Sequence, residues 1–447
     1  MNAVITPHKF SGTVKIPASK SHTIRQLLIA SLAEGESVIN YPLDSLDTRS
    51  CIEACKAFGA EINEVYDNNK LFSLGIIGNN NFKKSLRASE SQCEPLSVNV
   101  GNSGTTLYLA LAVAALQSQP IVFTGDESIQ KRSAAPLLDA LAGLGVHTES
   151  NNGCAPITIR GKYTGGKVTL PCPTSQYLSA LLIAAPLAPN GTLTEIDVPL
   201  LNEKPYIDMT LSYLNKYMVS VTCKENQKYI MKTQKGEYNF VIPGGSKWKS
   251  FSSDVPGDFS SAAFPAAAAA ITGGSVTLLG LDFEDTQGDK YFFDILEKMG
   301  CTVQIDENGS SGNSVTVFRN KPLCGGTFDL NKTPDLLPAA AAVAAYANGD
   351  TALVNVAHAR IKETDRIKVM AQELAKLGVQ CTEMPDGLVI HGKGALSPSE
   401  KPVIDGHNDH RIVMAFAVLA LVSPVPVEIT GSECADVTYP GFLSILG

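Results

Sequence analysis

Six stretches that are apolar on nearly every face set the first constraint on this chain: residues 20–33, 103–116, 175–188, 259–272, 336–348 and 410–422. Ala266 to Ala270 follow one another in the fourth, and Ala339 to Ala342 in the fifth. A helix that is apolar all round is buried, and these are too short to cross a bilayer. Pro265, inside the fourth, should kink that helix or delay its start. After each stretch comes a β-rich run (37–41, 121–124, 192–196, 275–278, 351–356, 425–430). In five copies an amphipathic helix then runs toward a turn and a short strand (56–62, 142–148, 215–222, 297–303, 375–381), whereas the sixth is cut short at Gly447.

The unit recurs about every 70–85 residues, longer than a solenoid rung, so each copy reads as a small α/β subdomain. Six copies predict an α/β chain of two inside-out domains. Each would hold three repeated subdomains with buried helices and outer sheets, the reverse of a doubly wound fold. Turn-prone Pro17-Ala18-Ser19 and Val255-Pro256-Gly257 mark the boundaries. Residues 1–17 with 257–447 then make one discontinuous domain, and 18–256 the other.

The charge of −8 argues against a nucleic-acid binder working through a bulk positive field. The ten cysteines contain no CxxC pair, which points to free thiols in a reducing cytoplasm and away from a structural zinc site. The opening residues show no signal-peptide pattern. We expect a cytoplasmic monomer with no metal, no nucleic-acid partner and no membrane partner.

The buried helices open on polar residues: Lys20 and Ser21 with Arg25, Asn102 and Gly104, Thr174, Ser175 and Gln176, Asp258, Asp335, and Asp409 with Arg411. Capping explains Asp258 and Asn102, at about 1 kcal/mol each. It does not explain Lys20, Arg25 or Arg411, since a helix start disfavours a cation by about 0.3–1 kcal/mol. Free amides, hydroxyls and a cation together make an anion site. Arg132 sits in a loop of the second copy. The fifth copy carries a matching loop, Arg360-Ile361-Lys362-Glu363-Thr364-Asp365-Arg366, just before an amphipathic helix. A solvated cluster in which Glu363 and Asp365 screen Lys362 and Arg366 would account for that loop on its own.

Taken in order and spacing, these motifs resemble those of the EPSP synthase (3-phosphoshikimate 1-carboxyvinyltransferase) family of enolpyruvyl transferases, from about Ser11 to Gly447. The resemblance implies two three-repeat domains that close on substrate at the cleft between them. It implies transfer of the enolpyruvyl group of phosphoenolpyruvate to the 5-hydroxyl of shikimate 3-phosphate, with no metal or organic cofactor. On that footing Ser21, Arg25 and Tyr206 would hold the shikimate carboxylate, and Thr174 and Ser175 the 3-phosphate. Gln176 would lie between the substrates, and Asp335 and Lys362 would hold the ring hydroxyls. Phosphoenolpyruvate would meet Lys20, Asn102, Gly104, Arg132, Gln176, Arg366 and Arg411. The reaction needs a base at the hydroxyl (Asp335), an acid for the methylene carbon (Glu363) and a cation at the departing phosphate (Lys20).

Five positions depart from the family's usual pattern: Tyr108 for arginine, Thr174 for serine, His358 for asparagine, Val437 for lysine and Glu203 for serine. A carboxylate at position 203 would repel a phosphate unless Lys204 pairs with it or it points away. Two other readings stay open. One is the sister transferase acting on UDP-N-acetylglucosamine, although residues 125–136 hold no cysteine. The other is a non-catalytic paralogue that binds a phosphorylated anion.

Overall fold

A computed structural model describes residues 1–78, 94–219, 230–234, 237–307, 313–398 and 400–447. Cys93, Cys223 and residues 220–222 of the third amphipathic run lie outside them. The chain divides into two compact units, Met1–Ser19 with Pro256–Gly447, and Lys20–Val255.

Each copy contributes one buried helix and a second, more exposed one. They are α1 (Lys20–Leu32) and α2 (Leu46–Ala57), α3 (Gly104–Ala114) and α4 (Ala135–Gly143), and α5 (Gln176–Ala184) and α6 (Lys204–Tyr217). The other unit holds α7 (Phe259–Thr272) and α8 (Tyr291–Lys298), α9 (Leu337–Tyr346) and α10 (Arg366–Lys376), and α11 (His410–Ala420) and the short α12 (Phe442–Leu446). The first helix of each pair is buried along almost its whole length. In the discontinuous unit α7, α9 and α11 pack on one another, and the alanine runs of α7 and α9 allow close approach of the axes. In the other unit α3 packs on α5 and α1. Each Leu or Ile buried there stabilises the fold by about 1.5–3 kcal/mol.

Pro265 does not delay its helix. α7 starts at Phe259, with the Asp258 carboxylate accepting from the amides of Ser260 (2.8 Å) and Ser261 (3.3 Å). Asn102 is not a cap either, because Ser103 caps α3 through the Thr106 amide at 3.3 Å. Asn102 instead bridges two side chains described below.

Among the described residues five of the repeat sheets have four strands and one has three, and a further three-stranded sheet joins Met218–Val219, Lys247–Lys249 and Ala33–Glu34. In each repeat sheet, the strand after the buried helix pairs in parallel with one neighbour and antiparallel with the next. In the second copy, for example, Ile121–Thr124 lies between Leu96–Asn99 (parallel) and Cys154–Arg160 (antiparallel). One face of each sheet is buried: in Ser275–Leu279, Val276 and Leu278 point inward.

Two strands do not stay with the helix they precede. Gly12–Lys15 leads into α1 yet pairs with Ser275–Leu279 of the fourth copy. Ser252–Asp254 leads into α7 yet pairs with Glu36–Asn40 of the first. The sixth copy is also more complete than its sequence suggests, because Asn2–Ile5 adds an antiparallel strand to Val427–Thr430. Among the described residues no helix is long and apolar enough to cross a membrane.

Candidate active site

In the Lys20–Val255 unit the helix starts carry the expected cations, and each has a specific setting. Lys20, the first residue of α1, lies 3.0 Å from the buried carboxylate of Asp47 in the first turn of α2. That carboxylate offsets the unfavourable dipole. Arg25 is 1% exposed. It donates to Thr210 Oγ1 (2.9 Å), the Ser21 carbonyl (3.1 Å), Ser179 Oγ (3.2 Å) and the Tyr206 carbonyl (3.4 Å). No described carboxylate forms an ion pair with it. Burial pushes its guanidinium down to about 10, against the pull of Tyr213, Tyr206 and Glu203. A buried cation surrounded by hydroxyls and carbonyls suits a carboxylate ligand.

At the start of α3, Arg132 Nη2 donates to Asn102 Oδ1 (2.9 Å) and Ser128 Oγ (2.8 Å), while the Asn102 amide donates to Asp126 (2.6 Å). The guanidinium lies directly over Gly104, where a Cβ would stand 2.8 Å from Arg132 Nη1. Glycine is therefore what lets the arginine reach the helix start. Tyr108 packs edge-to-face on Tyr177 at 5.1 Å, and both hydroxyls donate to the Ser133 carbonyl. An aromatic corner thus stands where a cation was the usual pattern.

Glu203 does neither of the two things that would make it harmless. Lys204 pairs with Asp208 at 2.6 Å, one turn along α6. Glu203, 2% exposed, turns its carboxylate to the start of α5. There Oε2 accepts from Thr174 Oγ1 (3.1 Å), the Ser175 amide (3.0 Å) and Ser175 Oγ (2.9 Å). Gln176 Nε2 donates to Thr174 Oγ1 at 3.0 Å.

In the discontinuous unit five expected residues come together. Arg366, the first residue of α10, is 1% exposed, so the loop before it is not a solvated cluster. Its guanidinium donates to Asp409 (2.8 and 3.2 Å), Asp335 (2.8 Å) and Glu363 (2.6 Å). Three carboxylates therefore offset both the dipole and the burial. Arg411 Nη2 reaches the other Asp335 oxygen at 3.1 Å, and Lys362 Nζ lies 3.9 Å from Asp335. Burial opposes ionisation of Asp335, but Arg411, Lys362 and Arg366 outweigh it and hold its carboxyl well below the usual carboxylate range. Asp365 caps α10 through the Lys368 amide and pairs with Arg360, so it turns away from Arg366. His358 is buried with Nε2 3.1 Å from the Asn331 carbonyl. Val437, half-buried in the turn Ser432–Val437, brings no charge.

A model of the EPSP synthase (3-phosphoshikimate 1-carboxyvinyltransferase) family matches residues 4–446. The chain belongs to this family. A 3-phosphoshikimate 1-carboxyvinyltransferase from Acetivibrio thermocellus is 43% identical over 98% of this chain and 96% of its own length. One from Nitrosopumilus maritimus is 38% identical over 99% and 97%. A solved EPSP synthase from Acinetobacter baumannii covers 99% of this chain and 97% of its own, at 26% identity and a TM-score of 0.75. The chain is thus a transferase of the shikimate pathway with the EPSP synthase fold. The matched names carry 3-phosphoshikimate, not the UDP-sugar of the sister reading.

Sequence reasoning gave no role to Asp47, Asp126 or Asp409. Each holds a cation or its carrier in place. Asp409 left a trace, an acidic residue just ahead of His410 and Arg411 at a helix start; Asp47 left none.

Proposed function

We propose that Asp335, Glu363 and Lys20 carry the chemistry of the carboxyvinyl transfer, and that the remaining polar residues position its two anionic substrates. Phosphoenolpyruvate is clamped by Lys20, Arg132, Arg366 and Arg411, with Asn102, Gly104 and Gln176 beside it. Shikimate 3-phosphate is held by Ser21, Arg25 and Tyr206 at its carboxylate, by Thr174 and Ser175 at its phosphate, and by Asp335 and Lys362 at its ring hydroxyls. Cells would run this reaction in the cytoplasm.

Asp335 takes the proton of the attacking hydroxyl as its oxygen bonds to the enol carbon, and Glu363 delivers a proton to the methylene carbon. In the second half Glu363 takes that proton back, the double bond re-forms, and phosphate leaves against Lys20. The observation that carries this reading is the ring of Arg366, Arg411 and Lys362 around Asp335. While those cations hold it, Asp335 is ionised but a weak base. Incoming phosphate and carboxylate oxygens compete for the same guanidinium protons, and each one drawn away raises the basicity of Asp335. Preorganised cations of this kind are usually the largest catalytic contribution, and the planar fork of arginine suits both anions.

The test is phosphate release from phosphoenolpyruvate with shikimate 3-phosphate or UDP-N-acetylglucosamine as acceptor. Release is expected with the first only. Asp335→Ala and Glu363→Ala should each lower kcat by about 10²–10⁴-fold while leaving substrate Kd within about tenfold. Near-normal turnover in either variant would remove its assigned role.

A further inference from the structure

We propose that Glu203 is an internal occupant of the phosphate cradle at the start of α5, so that a phosphate monoester binds there only by evicting a carboxylate of the chain itself. This rests on the reading that Thr174 and Ser175 receive the 3-phosphate. Three donors, Thr174 Oγ1, the Ser175 amide and Ser175 Oγ, converge on the single oxygen Oε2 of Glu203 within 3.1 Å. They stand at the positive end of a nine-residue helix, the setting that attracts an anion. The carboxylate is part of the interior, since Glu203 is 2% exposed.

The backbone is committed to this placement as well. Glu203 sits at φ 56°, ψ 38°, in the left-handed region that few residues other than glycine adopt. Its carbonyl accepts from the Tyr206 amide at 3.1 Å, which fixes the turn into α6. Lys204, the adjacent cation, is engaged with Asp208. A phosphate dianion and this carboxylate cannot share three donors, because like charges in contact repel and neither would be fully hydrogen-bonded. A ring without the phosphate leaves Glu203 where it is. Glu203 therefore narrows the preference for a phosphorylated acceptor over its unphosphorylated counterpart, and is a specificity-determining residue of this site.

The experiment compares KM for shikimate 3-phosphate with the competitive inhibition constant of shikimate, at saturating phosphoenolpyruvate, in the unaltered protein, Glu203→Ser and Glu203→Gln. Removing the internal competitor should raise the ratio of the shikimate constant to the shikimate 3-phosphate KM by about tenfold or more in Glu203→Ser, and by less in Glu203→Gln, which keeps an acceptor oxygen but no charge. Glu203→Gln matches the original side chain in shape and keeps the test open if the serine variant folds poorly. A ratio that stays level or falls in both variants overturns the proposal. Ser175→Ala separates the two layers of the argument. If it leaves the ratio unchanged, the cradle is not the phosphate site and the underlying reading fails. If it lowers the ratio while both Glu203 variants leave it level, the competition alone is wrong.

Discussion

Arg366 is a buried cation that three carboxylates need at once. Breaking a buried pair leaves charge without compensation and costs about 3–5 kcal/mol, and here Asp335, Glu363 and Asp409 all lose a partner. Arg366→Lys supplies a point charge that cannot meet three acceptors. Urea denaturation of this variant should show a loss of about 2–4 kcal/mol, with kcat/KM down by about 10²-fold or more. Asp289 gives a pH signature. It is buried beside this cluster and accepts from Ser260. Burial, with repulsion from Asp335, pushes its carboxyl up to about 7. An unfolded Asp titrates near about 3.9, so the folded protein keeps a proton that the unfolded chain has lost, and stability falls as pH rises from about 4 to about 7. Asp289→Asn should flatten that slope in thermal melts across the same range, and an unchanged slope would contradict the assignment. At this scale residue types were legible and partners were not. Lys362, Glu363 and Arg366 could be singled out because cations at a helix start need an explanation. That Arg366 would be answered by Asp409, 43 positions away, depends on how α10 and α11 pack.

Whole elements were more legible in the sequence than individual partners. All six buried helices lie where an apolar circumference puts them, because a helix with no polar face has nowhere to go but the interior. Pro265 sits six residues past the start of α7, so the Ser261 carbonyl four positions earlier is already inside the helix and loses its amide partner; the helix nonetheless runs on to Thr272, and nothing in the structure explains how that loss is offset. For Glu203 two ways of escaping the phosphate were open and neither is taken, because a charged residue in a polar loop carries no mark of which way its side chain will turn. The Gly104 start of α3 yields a prediction at this scale. Gly104→Ala places a methyl group against Arg132, whose flexible end can give way, so melting should change by only a few degrees. The guanidinium would leave the helix start, and KM for phosphoenolpyruvate should rise by about tenfold, as expected for losing one charge-assisted hydrogen-bond donor to phosphate. An unchanged KM would mean that Arg132 does not serve that substrate.

Over the whole molecule, the discontinuous unit depends on a segment that precedes the other unit in the chain. Asn2–Ile5 pairs with Val427–Thr430, Gly12–Lys15 with Ser275–Leu279, and the amino group of Met1 meets Glu433 at 2.6 Å. Gly274 makes room for this segment, since a Cβ there would stand 1.7 Å from the Phe10 carbonyl oxygen. Removing residues 1–15 should therefore unfold the discontinuous unit and spare the Lys20–Val255 unit. Limited proteolysis of the truncated chain is expected to leave a resistant fragment of about the latter's length, and uniform digestion would count against it. The strand exchange also sets an order of events during synthesis. Asn2–Ile5 leaves the ribosome long before its partner strand, Val427–Thr430. At about 5–20 residues per second the first strand waits on the order of tens of seconds for a mate. Through that interval it is an unpaired edge open to other chains. Lys9 and Lys15 lie in the same segment, with Lys15 exposed at the end of its strand, and such charges are how exposed edges resist unwanted pairing.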